Sequence, residues 1–166
     1  LEPATTPAMD DLRNHAEWTQ TSSTMLNSPT VSGPGWTASL TGVDADKHGT
    51  SSNSNLAAHD PAYPTFLSRA RDAGLSTVAW TSWDPIYNDI LEPTSLDAGG
   101  VGSDVSVTFD LALALTNDDH DAHFIHLDDV DGAGHGNGFS PVVPTYLAAI
   151  AEVDDHIATL IDAVLA

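Results

Sequence analysis

Two short apolar segments, residues 75–80 and 122–127, constrain the fold of this chain more than any other feature. Each has the length and the β-branched or aromatic content of a buried strand. Segments with helical spacing lie between and after them, and the clearest is an apolar stripe from Leu147 to Val164 with acidic residues on the opposite side. This alternation predicts an α/β fold in which a mainly parallel sheet is covered by helices on both faces. We expect residues 1–166 to belong to a single domain.

Capping residues, spacing and composition predict the other elements. Thr6 is a suitable N-cap and Pro7 suits the first position of a helix, whereas Gly74 is a typical helix stop. The further predicted helices are residues 6–12, 36–40, 64–73 and 84–91. The segments predicted to be extended or to form loops are residues 17–25, 27–35 and 48–59.

Residues 104–115 fit two different structures. Apolar residues at every odd position from Val105 to Leu115 favour a strand. The leucine–alanine run from Leu111 onward has helix propensity instead. The pattern alone leaves both structures open.

Acidic residues dominate the charge of the chain, with 24 Asp and Glu against 4 Lys and Arg and a formal net charge of −20. Such an acidic surface either binds cations and basic partners or keeps the protein hydrated in strong brine, where salt screens the repulsion between its carboxylates. Because the acids are scattered, the composition favours adaptation to high salt. It also argues against nucleic-acid binding, which requires a basic patch.

The sequence lacks a long apolar run, a recognisable signal peptide and any cysteine. No apolar run approaches the roughly 20 residues that a membrane-spanning helix needs, and residues 1–4 have neither the basic start nor the apolar stretch of a signal peptide. The chain has no cysteine, so thiolate nucleophiles and Cys-bound zinc are excluded. Any metal ion must be held by imidazole, carboxylate or hydroxyl groups. The cellular compartment stays open.

The first stretch with candidate chemistry is residues 29–36, Pro-Thr-Val-Ser-Gly-Pro-Gly-Trp. A serine in a glycine-rich loop before a helix suits a nucleophile, because the backbone can approach the substrate and the helix N-terminus favours a phosphate. Ser32 is therefore a candidate nucleophile. The same residues also fit an ordinary turn, and the chemistry alone does not exclude it.

The second stretch is residues 127–138, in which Asp131 and His135 stand among glycines in a loop after the second predicted strand. Carboxylate and imidazole suit zinc, manganese or a similar ion, although a solvated acidic turn is the alternative. The order of acids in a calcium-binding EF-hand is absent. His123 and His126 are three residues apart on that strand, so we expect them to point to opposite faces and to be core or strand-end histidines.

Taken together, these stretches resemble the type I phosphodiesterase/nucleotide pyrophosphatase branch of the alkaline phosphatase superfamily. Residues 6–12 resemble the "TPNLDxL" helix of that branch, residues 32–36 with 40–42 and 48–49 its nucleophile block, and residues 131–138 its "DxxGHxxG" metal motif. The order and spacing of these blocks are more specific than any one of them. The resemblance implies an alkaline-phosphatase-like domain, of which this chain is a part, and a helix over residues 104–115.

The resemblance also implies a mechanism and a set of site residues. Ser32 would be the metal-bound nucleophile that becomes phosphorylated, and Asp131 and His135 would bind one of two divalent ions, zinc or, for one of them, manganese. The substrate would be a small phosphate ester. Its contacts would come from Gly33, Gly35, Trp36 and Asn53.

The chain departs from the family pattern in two ways. Gly35 stands where some members have an asparagine that holds a phosphate oxygen, so a backbone N–H or Trp36 would have to replace it. The remaining metal ligands of the family, an Asp before the first helix and an Asp-His pair plus a His after the last one, have no counterpart in this sequence. We therefore keep a non-catalytic version of the fold as the alternative to a metal-dependent hydrolase. A sulfatase is less favoured because the arginine of its motif is absent.

Overall fold

The computed structural model describes residues 4–15, 29–56 and 61–166. In these residues the α-helices are α1 (Pro7–His15), α2 (Ser32–Thr41), α3 (Ala45–His48), α4 (Phe66–Asp72), α5 (Asp104–Asn117), α6 (Asp129–Asn137) and α7 (Pro144–Leu165). The strands are β1 (Thr77–Thr81), β2 (Ala98–Val101) and β3 (Ala122–His126). A π-helical turn (Ile86–Ile90) and a 3₁₀ turn (Pro93–Ser95) connect β1 to β2. The predicted extended segment 17–25 lies outside the described residues.

The sheet is parallel and has the order β2-β1-β3, as the described residues show it. Strand β1 is central and every one of its residues is buried. Val78 lies opposite Ala98 on one side and opposite His123 on the other. The three carboxyl ends therefore meet at one edge, which is where parallel sheets place their sites.

Two apolar clusters cover the two faces of the sheet. Ala79 of β1 faces a cluster with Leu40 of α2, Leu67 of α4 and the π-helical turn. Val78 and Trp80 face the opposite way, toward Val107 and Leu111 of α5. The alternation along one strand thus fills both clusters, and the predicted α/β fold with helices on both faces is confirmed.

Residues 104–117 form a helix, as the family resemblance implied. The alternation of apolar residues in this segment had favoured a strand instead. Ser103 caps it by accepting a hydrogen bond from the Ser106 N–H. Val107, Leu111 and Ala114 are buried at helical spacing, and the alternate apolar residues Val105, Phe109 and Leu113 are left more than half exposed. The small helix-forming residues between the leucines allow this arrangement.

Two predictions about local structure were wrong. Residues 32–35 begin α2 instead of ending a loop, because Pro34 falls in the first turn, where a missing N–H costs nothing. Residues 129–137, predicted to be a loop, form α6. The predicted helix 84–91 is present over residues 84–90, and its part from residue 86 to 90 is π-helical, with the Leu91 N–H donating to the Ile86 carbonyl. Strand β2 was not predicted at all.

Helix α7 holds the amino-terminal helix through a buried carboxylate. Asp154 is 1% exposed, and its two oxygens accept the backbone N–H groups of Ala8 at 2.9 Å and Met9 at 2.8 Å. These N–H groups lie in the first turn of α1 and have no partner within that helix. In the described part of the chain, no helix is both long and apolar enough to cross a membrane.

Candidate active site

A cavity of about 330 Å³ opens at the carboxyl ends of β1 and β3. It lies between the start of α2, the segment after β1 and the start of α6. Its lining is Ser32, Trp36, Trp83, His126, Leu127, Asp128, Val130, Asp131 and Phe139. A serine hydroxyl, two carboxylates and an imidazole thus share one cavity with three aromatic side chains.

Ser32 is the first residue of α2, and the packing behind it fixes the start of this helix. The N–H of Gly33 donates to the side-chain oxygen of Asn53 at 2.7 Å. A Cβ atom on Gly33 would collide with Leu56, so only glycine allows the loop after α3 to pack this closely. Asn53 therefore lies behind the serine and holds the helix that presents it.

Trp36, one turn into α2, forms a wall of the cavity. Its ring meets the His126 ring edge-to-face at 4.7 Å and the Phe124 ring at 6.4 Å. With Ser32, Gly35 and Ser39 it also lines a shallower second cavity of about 220 Å³. Gly35 adds no side chain to this space, and a Cβ there would meet no atom within 4 Å.

His126 ends β3 and is buried beside Trp36 and Trp83. Its Nδ1 faces the backbone N–H of Trp83 at 3.4 Å, and its Nε2 lies 3.8 Å from Asp128 Oδ1. Burial lowers the pKa of His126, while the carboxylates of Asp128, Asp104 and Asp131 oppose that shift. Burial also raises the pKa of Asp128, and the negative charges of Asp131 and Asp104 raise it further. Several carboxylates therefore lie close together at this site, and a bound cation would reduce the repulsion between them.

Helix α6 carries Asp131 and His135 one turn apart on the same side. Asp131 Oδ2 lies 3.4 Å from His135 Nε2, and both side chains are more than half exposed. Phe139 packs its ring edge-to-face on His135 at 5.2 Å and on Tyr146 of α7 at 5.8 Å. A Cβ on Gly134 would strike the Phe139 ring, so this glycine lets the ring lie against α6.

The start of α6 is held by a carboxylate from another helix. Asp104, the first residue of α5, is 0% exposed. Its two oxygens accept the backbone N–H groups of Asp128 at 2.8 Å and Asp129 at 3.0 Å. Asp128, the N-cap residue of α6, makes no side-chain cap of its own. Asp104 therefore supplies the cap from outside.

The donor chemistry of Asp131 and His135 fits a zinc-like ion, which is bound by carboxylate oxygen and imidazole nitrogen. The set is incomplete, because residues 4–15, 29–56 and 61–166 contain no group of three or more His, Asp or Glu side chains placed to hold one metal ion. Ser32, at the same cavity as Asp131, could add a hydroxyl oxygen.

The structure brings some of the predicted site residues together and separates others. Ser32, Trp36 and Asp131 line one cavity, and Gly35 lines the shallower cavity beside it. Gly33 and Asn53 lie behind Ser32, and His135 lies beside Asp131 on the exposed side of α6.

Other lining residues were not predicted. Trp83 lies two residues after β1 and His126 is the last residue of β3, so the position rule for parallel sheets could have found them. Asp128 follows β3 directly and could have been found in the same way. Phe139 gave no signal in the sequence, because its place depends on α6 being a helix.

A parallel sheet covered on both faces, with polar side chains gathered at its carboxyl edge, defines the class as an α/β fold. Solved structures of murine ectonucleotide pyrophosphatase/phosphodiesterase 5 share this fold. An inactive threonine-to-alanine variant in complex with AMP matches with a TM-score of 0.62 and 17% identity over 80% of this chain. A second structure of the same murine protein matches with a TM-score of 0.59 and 18% identity over 78% of this chain.

These matches confirm that the chain shares its fold with the solved pyrophosphatase/phosphodiesterase structures, as the resemblance implied. The chain spans about 40% of the length of the murine chain in that structure. No protein-family model and no curated protein sequence matches it. The likeness to the murine structures is one of fold.

Proposed function

We propose that this chain carries the nucleophile and part of the metal site of a metal-dependent phosphate ester hydrolase. The observation that carries the proposal is that Ser32 and Asp131, far apart in the sequence, line one cavity. Had the nucleophile block and the metal motif been placed on different sides of the sheet, the two motifs could not have served one reaction.

In the proposed reaction, the Ser32 oxygen attacks the phosphorus atom of the ester. The serine–phosphorus bond forms as the bond to the leaving alcohol breaks, and the hydroxyl proton of Ser32 ends on that alcohol. Water then cleaves the bond between Ser32 and phosphorus, which restores the hydroxyl and releases phosphate from a monoester substrate or a phosphate monoester from a diester substrate. Divalent ions, when bound, would lower the pKa of the hydroxyl and stabilise charge on the transferred group.

The residues around Ser32 have separate parts in this proposal. Asp131 and His135 hold one ion, and the Gly33–Asn53 hydrogen bond keeps the start of α2 in place. Trp36, Trp83 and Phe139 form aromatic walls that suit an organic leaving group. The murine structure with bound AMP supports a small phosphorylated substrate such as a nucleotide.

Hydrolysis of chromogenic 4-nitrophenyl phosphate monoester and diester, in concentrated KCl with zinc or manganese, tests the proposal. We expect turnover that requires metal and that Ser32→Ala lowers by at least about 1,000-fold, since it removes the nucleophile. Ser51→Ala, an exposed serine in the loop before Asn53, is the matched control and should keep full activity. Undiminished turnover by Ser32→Ala would overturn the role of this serine.

A non-catalytic version of the fold is the second candidate. It is favoured by the incomplete ligand set of the described residues, since two side chains hold an ion weakly. A folded wild-type chain that turns over neither ester at millimolar metal would support this candidate instead.

A further inference from the structure

We propose that Asp104 is a positioning residue for the candidate metal site, because it holds the first turn of α6 in the orientation that directs Asp131 into the cavity. This inference rests on the proposed function, since it concerns the same site. Asp104 itself contacts neither substrate nor metal in this proposal. Its action is through the backbone of Asp128 and Asp129.

Helix α6 has little tendency to form by itself. Three of its nine residues are glycines, which favour the unfolded chain over a helix. Its N-cap residue makes no side-chain cap. The sequence alone predicted a loop here for the same reason. Something outside the segment must therefore fix its first turn.

The two contacts of Asp104 have the geometry to fix that turn. Each oxygen of Asp104 accepts one N–H group, from two consecutive residues at the start of α6. Two short hydrogen bonds from one fully buried group fix both the position and the direction of the first turn. Asp131 is only two residues beyond the second of these N–H groups, so a tilt at the start displaces its carboxylate directly.

A second buried carboxylate, Asp154, provides a control that separates the positioning of a metal ligand from a general effect on stability. Asp154 makes the same pair of contacts with the start of α1, which carries none of the candidate site residues. The two carboxylates therefore form a matched pair. Replacing either one disturbs a helix start, but only Asp104 lies behind a predicted metal ligand.

The test is a Co²⁺ titration of the full chain in concentrated KCl, followed by visible absorbance, for the wild type, Asp104→Asn and Asp154→Asn. Asparagine keeps the size of the side chain but turns one N–H donor toward a backbone N–H. We expect Asp104→Asn to weaken Co²⁺ binding by about 10-fold or more, as changes behind metal ligands do. Asp154→Asn should leave the affinity within about 2-fold of the wild type, although thermal unfolding of the metal-free proteins should show that both variants are destabilised.

The outcomes separate the two proposals. If both variants weaken Co²⁺ binding equally, Asp104 acts only on stability, and the positioning role is overturned while the metal site stands. If the wild type shows no Co²⁺ spectrum, or Asp131→Ala and His135→Ala leave that spectrum unchanged, the proposed metal site fails and the role of Asp104 fails with it.

Discussion

The starts of α1 and α6 are capped in the same way, although the two helices carry different side chains. In both, one buried carboxylate of another helix, Asp154 for α1 and Asp104 for α6, accepts hydrogen bonds from two consecutive backbone N–H groups. An anion at this position also interacts favourably with the helix dipole. The two helices differ in the side chains they carry, because α1 presents a largely exposed polar surface and α6 presents the candidate metal ligands.

The two helices also differ in how much they need that carboxylate. Helix α1 contains no glycine and begins with a proline, which suits the first helical position. Helix α6 contains three glycines, each about 1 kcal/mol less favourable than alanine in a helix. A weak helix can thus be placed accurately if its first turn is held from outside. Of these glycines only Gly134 makes a close contact, with the Phe139 ring, whereas all three weaken the helix that Asp104 caps.

The largest expected effect is on the free energy of unfolding when either buried carboxylate is replaced. Asp104→Asn and Asp154→Asn should each lower the free energy of unfolding by about 2–4 kcal/mol, because a buried, charged acceptor of two backbone N–H groups is lost. Urea denaturation in constant KCl measures this quantity. Hydrogen exchange should then show faster exchange in α6 for the first variant and in α1 for the second. Equal protection of α6 in both variants would contradict the separate roles of the two carboxylates.

A smaller effect should come from the glycines of α6. Gly134→Ala should lower the free energy of unfolding by about 1–2 kcal/mol, because the new methyl group displaces the Phe139 ring. Gly132→Ala is the matched control. A Cβ there meets no atom within 4 Å, so it should stabilise the protein by about 0.5–1 kcal/mol through helix propensity.

Combining a glycine substitution with the loss of each carboxylate tests why α6 needs Asp104. If α6 depends on Asp104 because of its glycines, Gly132→Ala should recover part of the stability that Asp104→Asn loses. Gly132→Ala should recover less in the Asp154→Asn background than in the Asp104→Asn background, since α1 is the helix disturbed there. Equal recovery in both backgrounds would mean that glycine content does not cause the dependence on Asp104.

The smallest expected contribution to the free energy of unfolding comes from exposed carboxylates that accept hydrogen bonds from backbone N–H groups. Asp121 accepts the N–H and the hydroxyl of Ser76, each at 2.8 Å, and these hydrogen bonds hold the pKa of Asp121 below its ordinary range. A lowered pKa in the folded state adds stability above the pKa of the unfolded chain, and that stability is lost as the pH falls through the folded pKa.

The melting temperatures of the wild type and Asp121→Asn should therefore differ slightly at neutral pH and converge as the pH falls below about 4. Added KCl should reduce the neutral-pH difference, because Asp121 is exposed and its interactions are screened. The Asp104→Asn difference should change little with salt, since Asp104 is buried. A salt-independent effect at Asp121 would contradict this distinction between exposed and buried carboxylates.

The sequence predicted the parts of the fold whose signal is local. Strands β1 and β3 and helix α7 came from apolar patterns, and Ser32 and Asp131 came from motifs. Helix α6 could not be predicted, because its glycines favour a loop and its cap comes from Asp104, 24 residues before Asp128. Strand β2 reads Ala-Gly-Gly-Val, so its structure comes from pairing with β1 and not from its own residues.

The contact between Asp154 and the start of α1 also bears on how the chain is made. It joins residues 146 positions apart, so α1 leaves the ribosome long before the carboxylate that caps it has been synthesised. At about 5–20 residues per second, this delay is about 7–30 s. During that time α1 lacks the partner that orders it, and the nascent chain is open to chaperones and proteases.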